Sequence, residues 1–157
     1  MNYHPVIKAK NISFFLSVDG EIDSSLAINN FWKQKKMVFL PVLDPNISGH
    51  LLFIEYKSQT NLVLNKFKIL EPEINIYKSI SLNKIDIMLV PLVAFDIKGN
   101  RLGLGGGFYD RTLNNWKRNN FLPIGIAYDF QLVNNLPNEK WDIPLPVIIT
   151  PSKIWQW

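Results

Sequence analysis

Residues 86–111 constrain the fold more than any other part of the chain. An apolar run at 86–95 (DIMLVPLVAF) is followed by a short turn and then by 101–111 (RLGLGGGFYDR), in which Gly103, Gly105, Gly106 and Gly107 fall within five positions. Such glycines cost backbone entropy, so a folded chain keeps them where φ is positive or where another molecule must reach the main chain. Tyr109, Leu113 and Trp116 follow at i, i+4 and i+7, a helical spacing. The order is strand, glycine-rich turn, helix. A turn of this kind gathers N–H groups and a positive helix end in one space, where an anion such as phosphate is the natural occupant. The competing reading is a glycine-rich hairpin or helix entry with no ligand.

Two familiar phosphate motifs do not fit the spacing. A P-loop requires Gly-Lys-Ser/Thr after four residues, and 104–111 holds no such lysine; the dinucleotide fingerprint requires glycine where Phe108 stands. Arg101 and Asp110 bracket the turn, one suited to phosphate oxygens and the other to a hard metal ion. Asp142, in EKWDIPLP, is a capping acid on the plain reading and the second carboxylate of a magnesium nucleotide site on the other.

Composition narrows the chemistry. No cysteine is present and the only histidines are His4 and His50, which excludes thiolate nucleophiles and leaves oxygen as the ligand for any metal. His4 is placed near a mobile terminus and His50 in a solvated turn. The net charge of +4 suits anionic small ligands, but the lysines are dispersed, without the aromatic-interleaved stripe of a nucleic-acid surface. The compact run Lys33, Lys35, Lys36 reads as a helix terminus. Lys66 and Lys68 flank Phe67 and read as solvated loop residues, the alternative being assistance to a phosphate or a carboxylated substrate. No segment has the length of a membrane span or the core of a signal peptide, so a cytoplasmic protein binding neither membrane nor nucleic acid is expected.

The alternation of elements sets the fold class. Strands are expected at 11–18, 37–43 (with Pro41 marking an edge or strand end), 50–57, 85–91, 123–128 and 147–150. Helices are expected at 24–36, N-capped by Asp23, and from the glycine turn to about 119. The segment 62–72 has no firm assignment. The 157 residues are expected to form one three-layer α/β/α domain with a largely parallel or mixed central sheet, binding ligands at its carboxyl edge. Glu21 lies at such an edge, either as a solvated turn acid or as a ligand contact.

At these residues the chain closely resembles the 5-formyltetrahydrofolate cyclo-ligase family. The matching segments, in order, are FFLSVDGEID, KKMVFLPVL, KILEP, DIMLVPLVAFDIKGNRLGLGGGFYDR, PIGIAYDFQ and WDIPLPVIITPSKIW. The resemblance implies ATP-dependent, magnesium-dependent conversion of 5-formyltetrahydrofolate to 5,10-methenyltetrahydrofolate, with ADP and phosphate released. In that mechanism the formyl oxygen attacks the γ-phosphate, and N10 of the folate then attacks the activated carbon. By the same resemblance Arg101, Leu102, Gly103, Leu104, Gly105, Gly106, Gly107, Phe108 and Tyr109 bind ATP, with Arg101, Gly105 and Tyr109 catalytic. Leu16 and Glu21 bind the folate together with Leu104 to Phe108, and Asp110 and Asp142 hold Mg²⁺. Phe108 stands where many relatives carry tyrosine. Family members usually begin with a basic helix that reaches the ATP phosphates, and this chain is read as lacking it. A monomeric enzyme is expected, the alternative being a folate or nucleotide binding protein of the same fold with little turnover.

Overall fold

A computed structural model describes residues 1–18 and 22–157. One eight-stranded sheet organises it, in the order β12-β11-β10-β7-β1-β2-β3-β6. The strands are β1 (Asn11–Ser13), β2 (Met37–Leu43), β3 (Leu51–Tyr56), β6 (Ser79–Ile80), β7 (Ile87–Val90), β10 (Leu122–Ile126), β11 (Val147–Ile149) and β12 (Ile154–Gln156). β11, β10, β7, β1 and β2 are parallel, while β12 pairs antiparallel at one end and, at the other, β3 pairs antiparallel with both β2 and β6. This is the largely parallel, mixed sheet expected from the sequence.

β7 shows why the apolar run is central. All four of its residues are buried. Ile87 and Leu89 pack with Ile28 and Phe31 of helix α2 (Ser25–Lys33) and Val6 of helix α1 (His4–Lys8). Met88 and Val90 pack on the opposite face with Leu113 of helix α3 (Phe108–Leu113). A strand covered on both faces must be apolar at every position rather than at alternate ones. Helix α4 (Trp116–Asn119) lies on the α3 side.

Several local expectations change. The first strand ends at Ser13; Phe14 keeps one backbone hydrogen bond to β2, its N–H donating to the Phe39 carbonyl at 2.9 Å, and Phe14 and Phe15 continue buried beyond the strand. Ser24, not Asp23, is the N-cap of α2; Asp23 instead accepts a hydrogen bond from the Ser25 N–H at 2.9 Å, which holds its carboxyl below the ordinary carboxylate range. Pro41 sits in an interior strand. It is tolerated because the register of β2 with β1 covers only Met37 to Phe39, so the N–H that proline lacks has no strand to pair with. The helix after the glycine turn breaks at Asn115 (φ −122°, ψ 35°) into α3 and α4, yet Tyr109, Leu113 and Trp116 still pack together.

The unassigned segment forms a hairpin of β4 (Leu62–Leu64) and β5 (Leu70–Pro72). A second hairpin, β8 (Ala94–Phe95) with β9 (Arg101–Leu102), separates β7 from the glycine turn, so the expected direct passage from strand to turn is replaced. The start of the chain is helical rather than mobile. Pro5 sits in the first turn of α1, and Lys36 Nζ donates to the carbonyls of Ile7 (2.8 Å) and Ala9 (2.5 Å) at its end, using a cation to satisfy carbonyls a helix end leaves unpaired. Both histidines are exposed. No helix among the described residues is long and apolar enough to cross a membrane.

Candidate functional site

A cleft of about 350 Å³ opens at the carboxyl edge of the parallel strands. Phe15 and Leu16 follow β1 there, Pro91 and Leu92 follow β7, and Leu40, Pro41 and Leu43 come from the end of β2. The position follows from topology, because parallel strands deliver their succeeding loops to one edge. Every residue from Arg101 to Asp110 also lines it, together with Leu16 and Asp142. Thus the sequence-predicted site residues converge on one space, apart from Glu21, which lies outside the described residues. Lys66 and Lys68 are exposed and do not line it.

The glycine turn has two left-handed residues, Gly105 (φ +94°) and Gly107 (φ +69°). A methyl group on Gly105 would meet nothing within 4 Å, whereas one on Gly106 would lie 2.6 Å from the Phe108 ring. Gly105 therefore faces open space and Gly106 is covered. Among the described residues, no N–H from Gly103 to Phe108 donates to a protein acceptor. Leu104, Gly105 and Gly106 are exposed to solvent, while Gly103, Gly107 and Phe108 are half-buried, where an unpaired backbone N–H is uncommon; successive amides around a turn form a concavity for an anion. Helix α3 has only six residues, so the main chain of the turn, more than a helix dipole, supplies the positive potential.

Arg101 enters from β9 with its side chain only 4% exposed. Its Nη2 donates to Asp110 Oδ1 at 2.9 Å, and its buried Nε has no partner among the described residues. Burial lowers the guanidinium's pKa and the charges of Asp110, Tyr109 and Asp142 oppose that shift. An arginine remains cationic under such conditions, leaving a desolvated positive group at the floor of the cleft.

The two carboxylates that the sequence could not bring together are adjacent in space. Ile143 N–H, next in chain to Asp142, donates to Asp110 Oδ1 at 3.1 Å, and Asp142 Oδ2 accepts from Glu139 N–H at 2.8 Å. Asp110 Oδ2 and Asp142 Oδ1 carry no protein hydrogen bond among the described residues. Each acid thus has one oxygen held by the protein and one uncommitted. No group of three or more Asp, Glu, His or Cys side chains among the described residues could by itself hold a metal. Two carboxylates suit magnesium, which takes its remaining ligands from phosphate oxygens and water.

Sequence reasoning missed the other wall. Asn65, Phe67 and Glu71 of the β4–β5 hairpin line the cleft, and Phe67 packs edge-on to Phe108 with ring centroids 6.0 Å apart. Glu71 Oε2 accepts from Leu43 N–H and Asn65 Nδ2, each at 3.1 Å, fastening the hairpin to β2. Trp141, 69% exposed, stands at the mouth. The exposed Phe67 was the available signal, but it lies in the turn between two three-residue strands, too short to show which way the hairpin faces.

Comparison with known proteins agrees with the geometry. The model of the 5-formyltetrahydrofolate cyclo-ligase family matches residues 1–151. The 5-formyltetrahydrofolate cyclo-ligase of Escherichia coli strain K12 is 50% identical over 157 residues, covering 100% of this chain and 86% of that protein. The enzyme of the same name from Haemophilus influenzae is 52% identical over 138 residues, covering 88% of this chain and 74% of its own length. The NMR structure of Aquifex aeolicus 5,10-methenyltetrahydrofolate synthetase superimposes with a TM-score of 0.78 at 32% identity, over 95% of this chain and 72% of that one.

Proposed function

The chain belongs to the 5-formyltetrahydrofolate cyclo-ligase family, and on that premise we propose how its cleft carries the reaction. The activity is that of a 5-formyltetrahydrofolate cyclo-ligase, an ATP-dependent ligase of folate one-carbon metabolism. The observation that carries the residue assignment is the row of six amides from Gly103 to Phe108 with no acceptor among the described residues, set beside a buried arginine and two half-committed carboxylates.

In this reading the triphosphate of ATP lies along the turn. The amides of Gly103 to Phe108 and the guanidinium of Arg101 accept its charge, and the open space over Gly105 lets the formyl group of the folate approach the γ-phosphate. Attack by the formyl oxygen forms the O–P bond as the bond to ADP breaks. N10 then attacks the formyl carbon and gives up its proton, and the C–O bond to phosphate breaks as the ring closes. Neither step needs a protein nucleophile; positioning and charge neutralisation by preorganised donors supply the catalysis. In this reading Arg101, Gly105 and Tyr109 are the residues that act on the transferring group.

Asp110 and Asp142 would hold Mg²⁺ through their uncommitted oxygens, and the ion, when bound, neutralises phosphate charge. Leu16 supplies an apolar wall for the pteridine, and Glu21 is assigned its polar edge. Phe108, held against Phe67, packs the ligand by its ring alone. The test is to mix the protein with 5-formyltetrahydrofolate and magnesium ATP and follow the methenyl product by its absorbance. ATP-dependent product is expected; folate binding with no such product would overturn the reading.

A further inference from the structure

Arg111 ends the glycine motif, and no step above uses it. Its Nη1 donates to the carbonyl of Gly106 at 2.9 Å and to that of Gly49 at 3.2 Å. Gly49 belongs to the turn joining β2 to β3, sixty-two residues away in sequence. The guanidinium is sandwiched between two left-handed glycines: a Cβ on Gly49 (φ +80°) would come within 2.6 Å of Nη1, and one on Gly107 (φ +69°) within 3.4 Å of Cζ. No other side chain among the described residues hydrogen-bonds a carbonyl of the turn between Gly103 and Gly107.

The consequence follows from peptide geometry. The Gly106–Gly107 bond is trans, so its C=O and N–H point in opposite directions. Holding the Gly106 carbonyl on Arg111 turns the Gly107 N–H away from the guanidinium. Glycine on both sides of this bond leaves little else to prevent the peptide from flipping. A flip would present a carbonyl oxygen, instead of an N–H, to a bound anion. We infer that Arg111 is a positioning residue: it locks the Gly106–Gly107 peptide in the anion-accepting orientation and anchors the turn to the β2–β3 connection. The inference rests on the reading of this turn as the triphosphate site.

Steady-state kinetics of four variants test it: Arg111→Ala, Arg111→Lys, Gly49→Ala, and Arg111→Ala combined with Gly49→Ala, with Gly105→Ala as a control on the turn itself. Arg111→Ala should raise KM for ATP about tenfold or more and leave KM for the folate within about twofold. Arg111→Lys should fall between, because a single ammonium cannot reproduce the planar fork. Millimolar guanidinium should restore part of the ATP affinity of Arg111→Ala and none in wild type. Gly49→Ala, which crowds the guanidinium, should raise KM for ATP alone and add nothing once Arg111 is gone, giving a coupling a merely structural loss would not produce. Unchanged KM for ATP in Arg111→Ala while Gly105→Ala raises it overturns this inference and leaves the triphosphate reading standing. If Gly105→Ala also has no effect, both fall. Additive effects of the Gly49 and Arg111 changes would likewise reject the lock.

Discussion

Two glycine-containing turns lie only a few residues apart, on either side of β9, and they treat their backbone amides in opposite ways. In the turn at 96–100 the buried carboxylate of Asp96 accepts from the N–H of Lys98 (2.9 Å) and Asn100 (3.1 Å), from Asn100 Nδ2 (3.1 Å) and from Leu136 N–H (3.1 Å). Its glycine, Gly99 (φ +84°), is closed over by the Leu145 carbonyl and the Trp157 ring. In the turn at 103–107 no amide has an acceptor among the described residues, and Gly105 faces open space. The first turn carries its own anion; the second, in the reading proposed above, receives one from the ligand. On that proposal the same local chemistry serves stability in one place and ligand binding in the other.

The sharpest way to break this contrast is at the metal-side carboxylate. Asp110→Asn should lower turnover at least about 100-fold, roughly 2.7 kcal/mol in the barrier, and, because it leaves the buried Arg101 guanidinium without its ion-pair partner, should also lower the unfolding midpoint. Full activity in that variant would remove Asp110 from the proposed metal shell. Next in size is Gly99→Ala, where both the left-handed φ and a carbonyl 2.7 Å from the new methyl group oppose the change. It should cost about 2–3 kcal/mol in denaturant unfolding, with KM for ATP nearly unaffected.

Gly105→Ala is the counterpart in the open turn. Only the backbone strain applies, so stability should fall by about 1 kcal/mol, while KM for ATP rises several-fold. If the two alanine variants behave alike, the division between closed and open turns fails. The smallest expected effect is on pH. Burial alone would raise the Asp96 carboxyl, but hydrogen bonds from the Asn100 side chain and from the N–H groups of Leu136, Lys98 and Asn100 hold it below the ordinary carboxylate range. A group depressed in this way contributes stability above its unfolded pKa of about 4 and loses it as pH falls through the folded value. An Asp96→Asn variant should therefore show a shallower loss of stability on acidification below about pH 4, measured by urea midpoints.

How much of this the sequence carried depends on how far each signal reached along the chain. The run at 86–95 marked the central strand because burial on both faces leaves a continuous apolar stretch, and Tyr109, Leu113 and Trp116 kept one face even though the helix breaks between them. The convergence of Arg101, the glycines and Asp110 was legible because they are neighbours in sequence. Their pairing with each other was not: Arg101 and Asp110 were each assigned to a ligand group, and the structure shows a 2.9 Å ion pair between them. The β4–β5 wall and β12 were hidden because three-residue strands have too few positions to show a period. The Arg111 bridge joins turns with no sequence relation, so only coordinates reveal it.

The central claim is that the amides from Gly103 to Phe108 are held open for a phosphate while those of the neighbouring turn are already satisfied. Amide-resolved NMR with titration of magnesium ATP tests it directly. Resonances of Gly103 to Phe108 should shift and gain exchange protection on binding, and those of Lys98 and Asn100, protected from the outset, should stay as they are. Saturating nucleotide that leaves the 103–108 amides unperturbed and unprotected would contradict the account.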